Sequence, residues 1–210
     1  MAVKAGGPDP DSNPSLRRAV QNARGSNMQK DKIQYAIDKA AGNTDGASFE
    51  QIFYEGYGPH GIAMIVDTAT DNPTRTVANI RFAFKKESGN LGTSGSVAFM
   101  FDQLAVFRLS PDGIEREELE LELIDHGLED MVDGVGEDGI EQLLVRCPRD
   151  EFGTMQSALE ERGLTVLTSG MEWVPQTQSE LESAQLDDVL KLVERLEADD
   201  DVQHVFHNLG

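Results

Sequence analysis

Leu16, Ala19, Val20 and Ala23 recur at i, i+3, i+4 and i+7, so they share one stripe of a helix while Arg17, Arg18, Gln21 and Arg24 face away. Asn13-Pro14 marks the start, because Asn caps orphan amides and Pro suits the first helical position. Gly25-Ser26-Asn27 breaks the helix, and a second one from Gln29 repeats the stripe with Ile33, Ala36, Ile37 and Ala40 before Gly42. Two such stripes need a third element to close a core. The upstream Ala5-Gly6-Gly7-Pro8-Asp9-Pro10-Asp11 reads as coil, so the helix pair is expected to be marginal.

The pattern then changes period. Residues 49–57 and 62–68 are rich in β-formers and are joined by Gly58-Pro59-His60-Gly61, which predicts a hairpin. A helix is predicted over 74–88, a Gly/Ser/Thr turn over 89–96, and strands over 97–101 and 105–109. Beyond these come a helix over 115–126, strands over 128–132 and 142–146, a helix over 150–162, a strand over 164–173, a helix over 183–198 and a strand over 202–207. The terminal helix and strand have no sheet of their own, so they complete the middle block as a split βαβ fold. The expected class is therefore α+β: a short helical segment over 1–45, a split βαβ domain over 46–109 plus 176–210, and a second, inserted α/β domain over 110–175, both sheet domains being ferredoxin-like.

A chain of 210 residues, 39% of them hydrophobic, can bury one substantial core or a few small ones. It has no run of about 20 apolar residues that would cross a bilayer. The start has neither the apolar core of a signal peptide nor an Arg-rich transit pattern. The one cysteine, Cys147, cannot form an intramolecular disulfide, and a reducing cytoplasm is the expected home. The net charge is −20, but it is unevenly placed. Residues 1–42 hold seven Lys/Arg and four Asp/Glu, residues 43–109 five and seven, and residues 110–210 six and twenty-seven. An exposed charge is felt over roughly 8 Å at physiological salt, so a basic face away from the acidic half can still meet phosphate. The same acidity can equally serve solubility alone.

The strongest candidate surface is the helix over 74–88. Thr76, Val77, Ile80, Ala83 and Phe84 share its core arc, and Arg75, Asn79, Arg81, Lys85 and Lys86 occupy the other, with Phe82 among them. Cations beside an unexpectedly polar-facing aromatic have the composition of an RNA or single-strand surface. The alternative is that Phe82 packs under the inserted domain. Arg17, Arg18 and Arg24 add a second cluster. Gly89, Asn90, Gly92, Thr93, Ser94 and Gly95 form a loop whose amides could hold phosphate, although it runs from helix to strand and lacks the lysine of a phosphate-binding loop. Tyr54, Tyr57 and the turn over 58–61 are a third patch. No catalytic group is expected: His60, His126, His204 and His207 are scattered, no nucleophile has a base at a familiar spacing, and Cys147 before Pro148 reads as a buried hydrophobe. Neither a cofactor nor a metal is expected. The Asp199-Asp200-Asp201 run lacks a coordinating loop pattern. A small-molecule sensor would instead show an apolar interdomain pocket, and a protein adaptor a large apolar patch.

Five stretches in order, Asn27-Met28-Gln29-Lys30-Asp31, Tyr54-Glu55-Gly56-Tyr57-Gly58-Pro59, Asp71-Asn72-Pro73-Thr74-Arg75-Thr76-Val77, Gly89-Asn90-Leu91-Gly92-Thr93-Ser94-Gly95-Ser96-Val97 and Asp201-Val202-Gln203-His204-Val205-Phe206-His207-Asn208, resemble the YebC/PmpR family. The resemblance implies three domains, with the last inserted in the second. It also implies a DNA-binding transcriptional regulator or, alternatively, a ribosome-associated translation factor that relieves stalling on proline runs. A mitochondrial relative activates synthesis of a respiratory-chain subunit, a component of cytochrome c oxidase. The expected partners are DNA or ribosomal RNA, with no membrane, and the protein is expected to be a monomer. The family usually opens with a Lys/Arg-rich segment of some forty residues, and this sequence begins after it. Gln29 stands where proline is common and His60 where a second glycine is common.

Overall fold

A computed structural model describes residues 1–26, 28–42, 49–136 and 139–210. Asn27, expected to help end the first long helix, lies outside them. Helices α1 (Ala2–Gly6), α2 (Pro14–Gly25) and α3 (Lys30–Gly42) come first. Strands β1 (Glu50–Tyr57) and β2 (Ala63–Thr70), helix α4 (Pro73–Lys86), and strands β3 (Asn90–Leu91) and β4 (Phe101–Leu109) follow. The chain continues through α5 (Arg116–Ile124), β5 (Asp130–Val135), β6 (Glu141–Pro148), α6 (Phe152–Glu161) and β7 (Val166–Pro175), and ends with α7 (Ser183–Glu197) and β8 (Val202–His207). It divides into two compact units: Met1–Gly46 with Gln103–Glu172, and Ala47–Asp102 with Trp173–Gly210.

The second unit holds a sheet of order β3-β1-β2-β8. β2 pairs antiparallel with β1 and with β8, which places it centrally. Its side chains are accordingly buried on both faces. On one face Met64 and Val66 pack against Ile80 and Phe84 of α4 and Leu192 and Leu196 of α7. On the other, Ala63 and Ile65 meet Val97, Phe101 and Trp173. Two expected strands are corrected here. Residues 98–100 form a 3-10 turn, and residues 101–109 are one strand that belongs to the other sheet. The physical reason is Glu55: its carboxylate binds the amides of Gly95, Val97 and Ala98, which bends the chain where the β-rich composition suggested extension.

In the first unit the order β5-β6-β4-β7 is the ferredoxin-like arrangement of a βαββαβ chain. Phe107, Leu109 and Val145 of the sheet pack with Leu119 and Leu123 of α5 and Met155 and Leu159 of α6. Both sheets are antiparallel in their described pairings, and the fold is α+β.

The N-terminal region also departs from expectation. The stretch read as coil begins with α1, whose Val3 closes a small core with Leu16, Ile33 and Ile37. Asn13 organises the junction. Its amide nitrogen donates to the Ala2 and Gly7 carbonyls (both 2.8 Å), and its oxygen accepts from the Leu16 amide (3.1 Å) as the cap of α2. Ala19, expected on the apolar stripe, is exposed instead. The next turn of α2 meets β7, an edge strand. The Asn22 side chain donates to the Ser169 carbonyl (2.7 Å) and accepts from the Ser169 amide (2.9 Å), completing the edge as a neighbouring strand would. Gly25 permits the approach, because a Cβ there would sit 1.9 Å from the Leu167 carbonyl oxygen.

Candidate nucleic-acid interface

α4 is positioned by both of its ends. Asn72 caps it, accepting from the Arg75 amide (3.1 Å), and Pro73 occupies the first turn. At the other end Ser88 takes a left-handed conformation (φ 61°), and the Gly89 amide bonds back to the Phe84 carbonyl (2.7 Å). Thr76, Ile80, Ala83 and Phe84 are buried, which is the core arc the periodicity predicts. The opposite arc is turned outward by that packing.

Its polar residues divide into two kinds. Arg75 is held by the Asp201 carboxylate (2.7 and 2.8 Å) and by Asp71 (3.0 Å). Asp201 also accepts from the hydroxyls of Thr76 (2.7 Å) and Thr70 (3.2 Å). Burial would raise the Asp201 pKa, but the Arg75 and threonine bonds hold it below the usual carboxylate range. Asn79 donates to Asp199 (2.8 Å). Arg75 and Asn79 are therefore committed to packing α4 against the chain around Asp199–Asp201. Arg81, Lys85 and Lys86 are exposed and form no ion pair among the described residues. Phe82 stands between them, 62% exposed, with the Lys86 ammonium 5.9 Å from its ring centre.

Sequence reasoning gave α7 no part in the site, although it runs beside α4. A groove of about 610 Å³ lies between these helices, with Asn79, Phe82 and Ala83 on one wall and Lys191, Glu194 and Asp199 on the other. Arg195 on the same wall is neutralised by Glu87 (2.6 Å), and Lys191 pairs with Asp188 (3.2 Å). Periodicity placed α7 as a helix, but nothing local marks which of its polar residues meet α4.

The other expected sites are used internally. In the loop of Gly89, Asn90, Gly92, Thr93, Ser94 and Gly95, the concavity of amides is already filled by an anion of the protein itself. Glu55 accepts from Gly95 (2.7 Å), Val97 and Ala98 (both 2.8 Å), and its backbone carbonyl accepts from Gly92 (2.8 Å). Burial opposes the charge on Glu55, yet these amides hold its pKa below the ordinary value. A phosphate would have to displace it. Arg17 closes the preceding loop through the Pro10 and Asp11 carbonyls (3.1 and 2.6 Å), and Arg18 lies over the Phe152 ring (5.4 Å). Arg24 is exposed. Tyr54 and Tyr57 bond weakly to the Pro73 and Ser96 carbonyls (3.5 and 3.4 Å). Cys147 is buried, and burial together with Glu151 and Asp150 pushes its thiol up to about 11, so it stays protonated.

These features define an α+β protein of two sheet domains, in one of which exposed cations without carboxylate partners flank an exposed aromatic on a single helix. Residues 49–209 match the family described as "TACO1/YebC second and third domain", and residues 1–43 match "TACO1/YebC protein N-terminal domain". The chain belongs to the TACO1/YebC family. Relatives named "Probable transcriptional regulatory protein" occur in Anaeromyxobacter dehalogenans strain 2CP-C (56% identical, covering 100% of this chain and 87% of that protein) and Flavobacterium johnsoniae (53%, covering 100% and 86%). A crystal structure of a conserved hypothetical protein from Aquifex aeolicus superposes with a TM-score of 0.85 at 34% identity, covering 100% of this chain and 85% of that one. Among the described residues, no helix is long and apolar enough to cross a membrane.

Proposed function

We propose that this chain regulates gene expression in the cytoplasm, without catalysis, by contacting nucleic acid through the outer face of α4. One observation carries the reading: Arg81, Lys85 and Lys86 surround an exposed aromatic without carboxylate partners, whereas Arg75 and Arg195 beside them are neutralised. Free cations supply phosphate contacts, and an exposed ring supplies a stacking platform. The names of the relatives support promoter DNA as the target. Phe82 favours the second reading, single-stranded or ribosomal RNA, because bases paired in a duplex have no free face to stack on it.

The test compares wild type with an Arg81→Ala/Lys85→Ala double variant, on promoter fragments and on ribosomes at matched salt. Loss of two phosphate contacts should reduce the salt slope by about 1.8 for duplex DNA or about 1.4 for single strands. An unchanged slope on both targets would overturn the assignment of this face. Binding to ribosomes but not to promoter fragments would select the second reading.

A further inference from the structure

The groove beside α4 has more chemistry than phosphate binding needs. Its volume, about 610 Å³, falls within the range of about 300–1,000 Å³ usual for small-ligand sites. The Phe82 ring and the Ala83 and Ala198 methyls give it an apolar surface on both walls. The polar groups turned into it are mostly acceptors. Asn79 spends its amide nitrogen on Asp199, which leaves its carbonyl oxygen free. Asp199 receives the Asn79 amide on one oxygen and the Asp201 backbone amide (3.0 Å) on the other, each oxygen keeping further accepting capacity. Glu194 has no side-chain partner among the described residues, and as a carboxylate it can only accept. Lys191 and Lys86 provide cations nearby.

We infer that this groove binds an unpaired guanine base of a single-stranded nucleic acid, stacked on Phe82, with the Glu194 carboxylate accepting from its N1–H and N2–H. The inference rests on the α4 interface and adds a base preference to it. Of the four bases only guanine presents two adjacent donors on its pairing edge, which matches the two oxygens of a carboxylate. Adenine and cytosine each place a ring-nitrogen lone pair beside their amino group, and uracil flanks its single N–H with carbonyl oxygens. Each of these sets an acceptor against Glu194. A carboxylate also repels phosphate, so Glu194 suits the base and not the backbone. The backbone falls to Lys86 and the outer cations of α4. The base must be unpaired, because its pairing edge and one ring face are both engaged.

Fluorescence anisotropy with the full chain tests this. The probes are ten-nucleotide strands, as RNA and as DNA, identical except for a central guanine, adenine or hypoxanthine. Guanine should bind more tightly than adenine by about 5- to 150-fold, the span of one bidentate base contact, in whichever sugar binds better. Hypoxanthine lacks the N2 amine and should fall between them. Glu194→Gln, an exposed position, should abolish the preference by weakening the guanine strand while the adenine strand binds as well as before or better, because the amide carries no charge and can donate to adenine N1. Salt-dependent binding with equal affinity for all three bases overturns the inference and leaves the α4 interface standing. A guanine preference that survives Glu194→Gln also overturns it. No binding to any strand also overturns the inference, and the promoter-fragment assay then decides the α4 interface by itself.

Discussion

Replacing Asn22 with Ala tests the contact that joins the N-terminal helices to the inserted sheet. Ser169 is 4% exposed, and both of its backbone groups are bonded to the Asn22 side chain, at 2.7 and 2.9 Å. Alanine leaves a buried N–H and a buried C=O without a partner, and each such group costs about 1–3 kcal/mol. Asn22 is only half-buried, so water can reach part of the vacated space, and the lower end of the range applies. The expected loss is about 2–3 kcal/mol for the unit that contains α2 and β7. The small core of Leu16, Ile33 and Ile37 is not touched by the change. Urea denaturation followed by circular dichroism would measure the loss, and native-state hydrogen exchange should show the Ser169 amide losing protection. A loss below about 0.5 kcal/mol, the level of an ordinary surface substitution, with Ser169 exchange unchanged, would refute the edge-sealing role.

Gly25→Ala should weaken the same contact by forcing α2 away from Leu167, and its cost should be non-additive with that of Asn22→Ala in a double-mutant cycle. Asp201 and Glu55 both have folded-state pKa values below their usual ones. Their contributions to stability are therefore complete above pH of about 5 and are lost as pH falls through the depressed values; thermal melts across pH 2–6 should show this, with a flatter profile for Glu55→Gln. Asp67 has the opposite sign. Burial raises its pKa despite the Gln51 bond and the nearby His204, so its ionised form costs stability as pH rises, and Asp67→Asn should raise Tm at pH 7 but not at pH 3. Arg75→Ala should lower Tm and leave the salt slope of nucleic-acid binding unchanged, because its guanidinium is spent on Asp201 and Asp71.

Features that depend on near neighbours in sequence were legible from it. The core arc of α4, the start of α2 at Asn13-Pro14 and the last strand at Val202–His207 follow from local periodicity and capping, and the structure has them there. The errors arose where a partner lies far along the chain. Arg75 and Asn79 look like surface groups until Asp201 and Asp199, more than a hundred residues later, fold against them. The 89–98 loop looks open until Glu55 enters it from β1. No period marks Val3, because α1 is too short to show one, and its burial depends on Asn13 drawing α1 onto α2. The groove needed both α4 and α7, and no single stretch of sequence contains it.

The order of elements also governs how this protein can be made. β2 lies at the centre of its sheet, yet one of its two neighbours, β8, is the last strand of the chain. The inserted sheet, by contrast, has all four strands synthesised between Phe101 and Pro175. On a growing chain the later-starting sheet can therefore finish first, while β1, β2 and α4 wait until synthesis has passed His207. During that interval the edge of β2 and the apolar side chains that α7 will cover lack their partners. The domain that bears the proposed interface thus completes its core after the inserted one, and α4 acquires its final support from Asp199 and Asp201 only once the whole inserted sheet has been made.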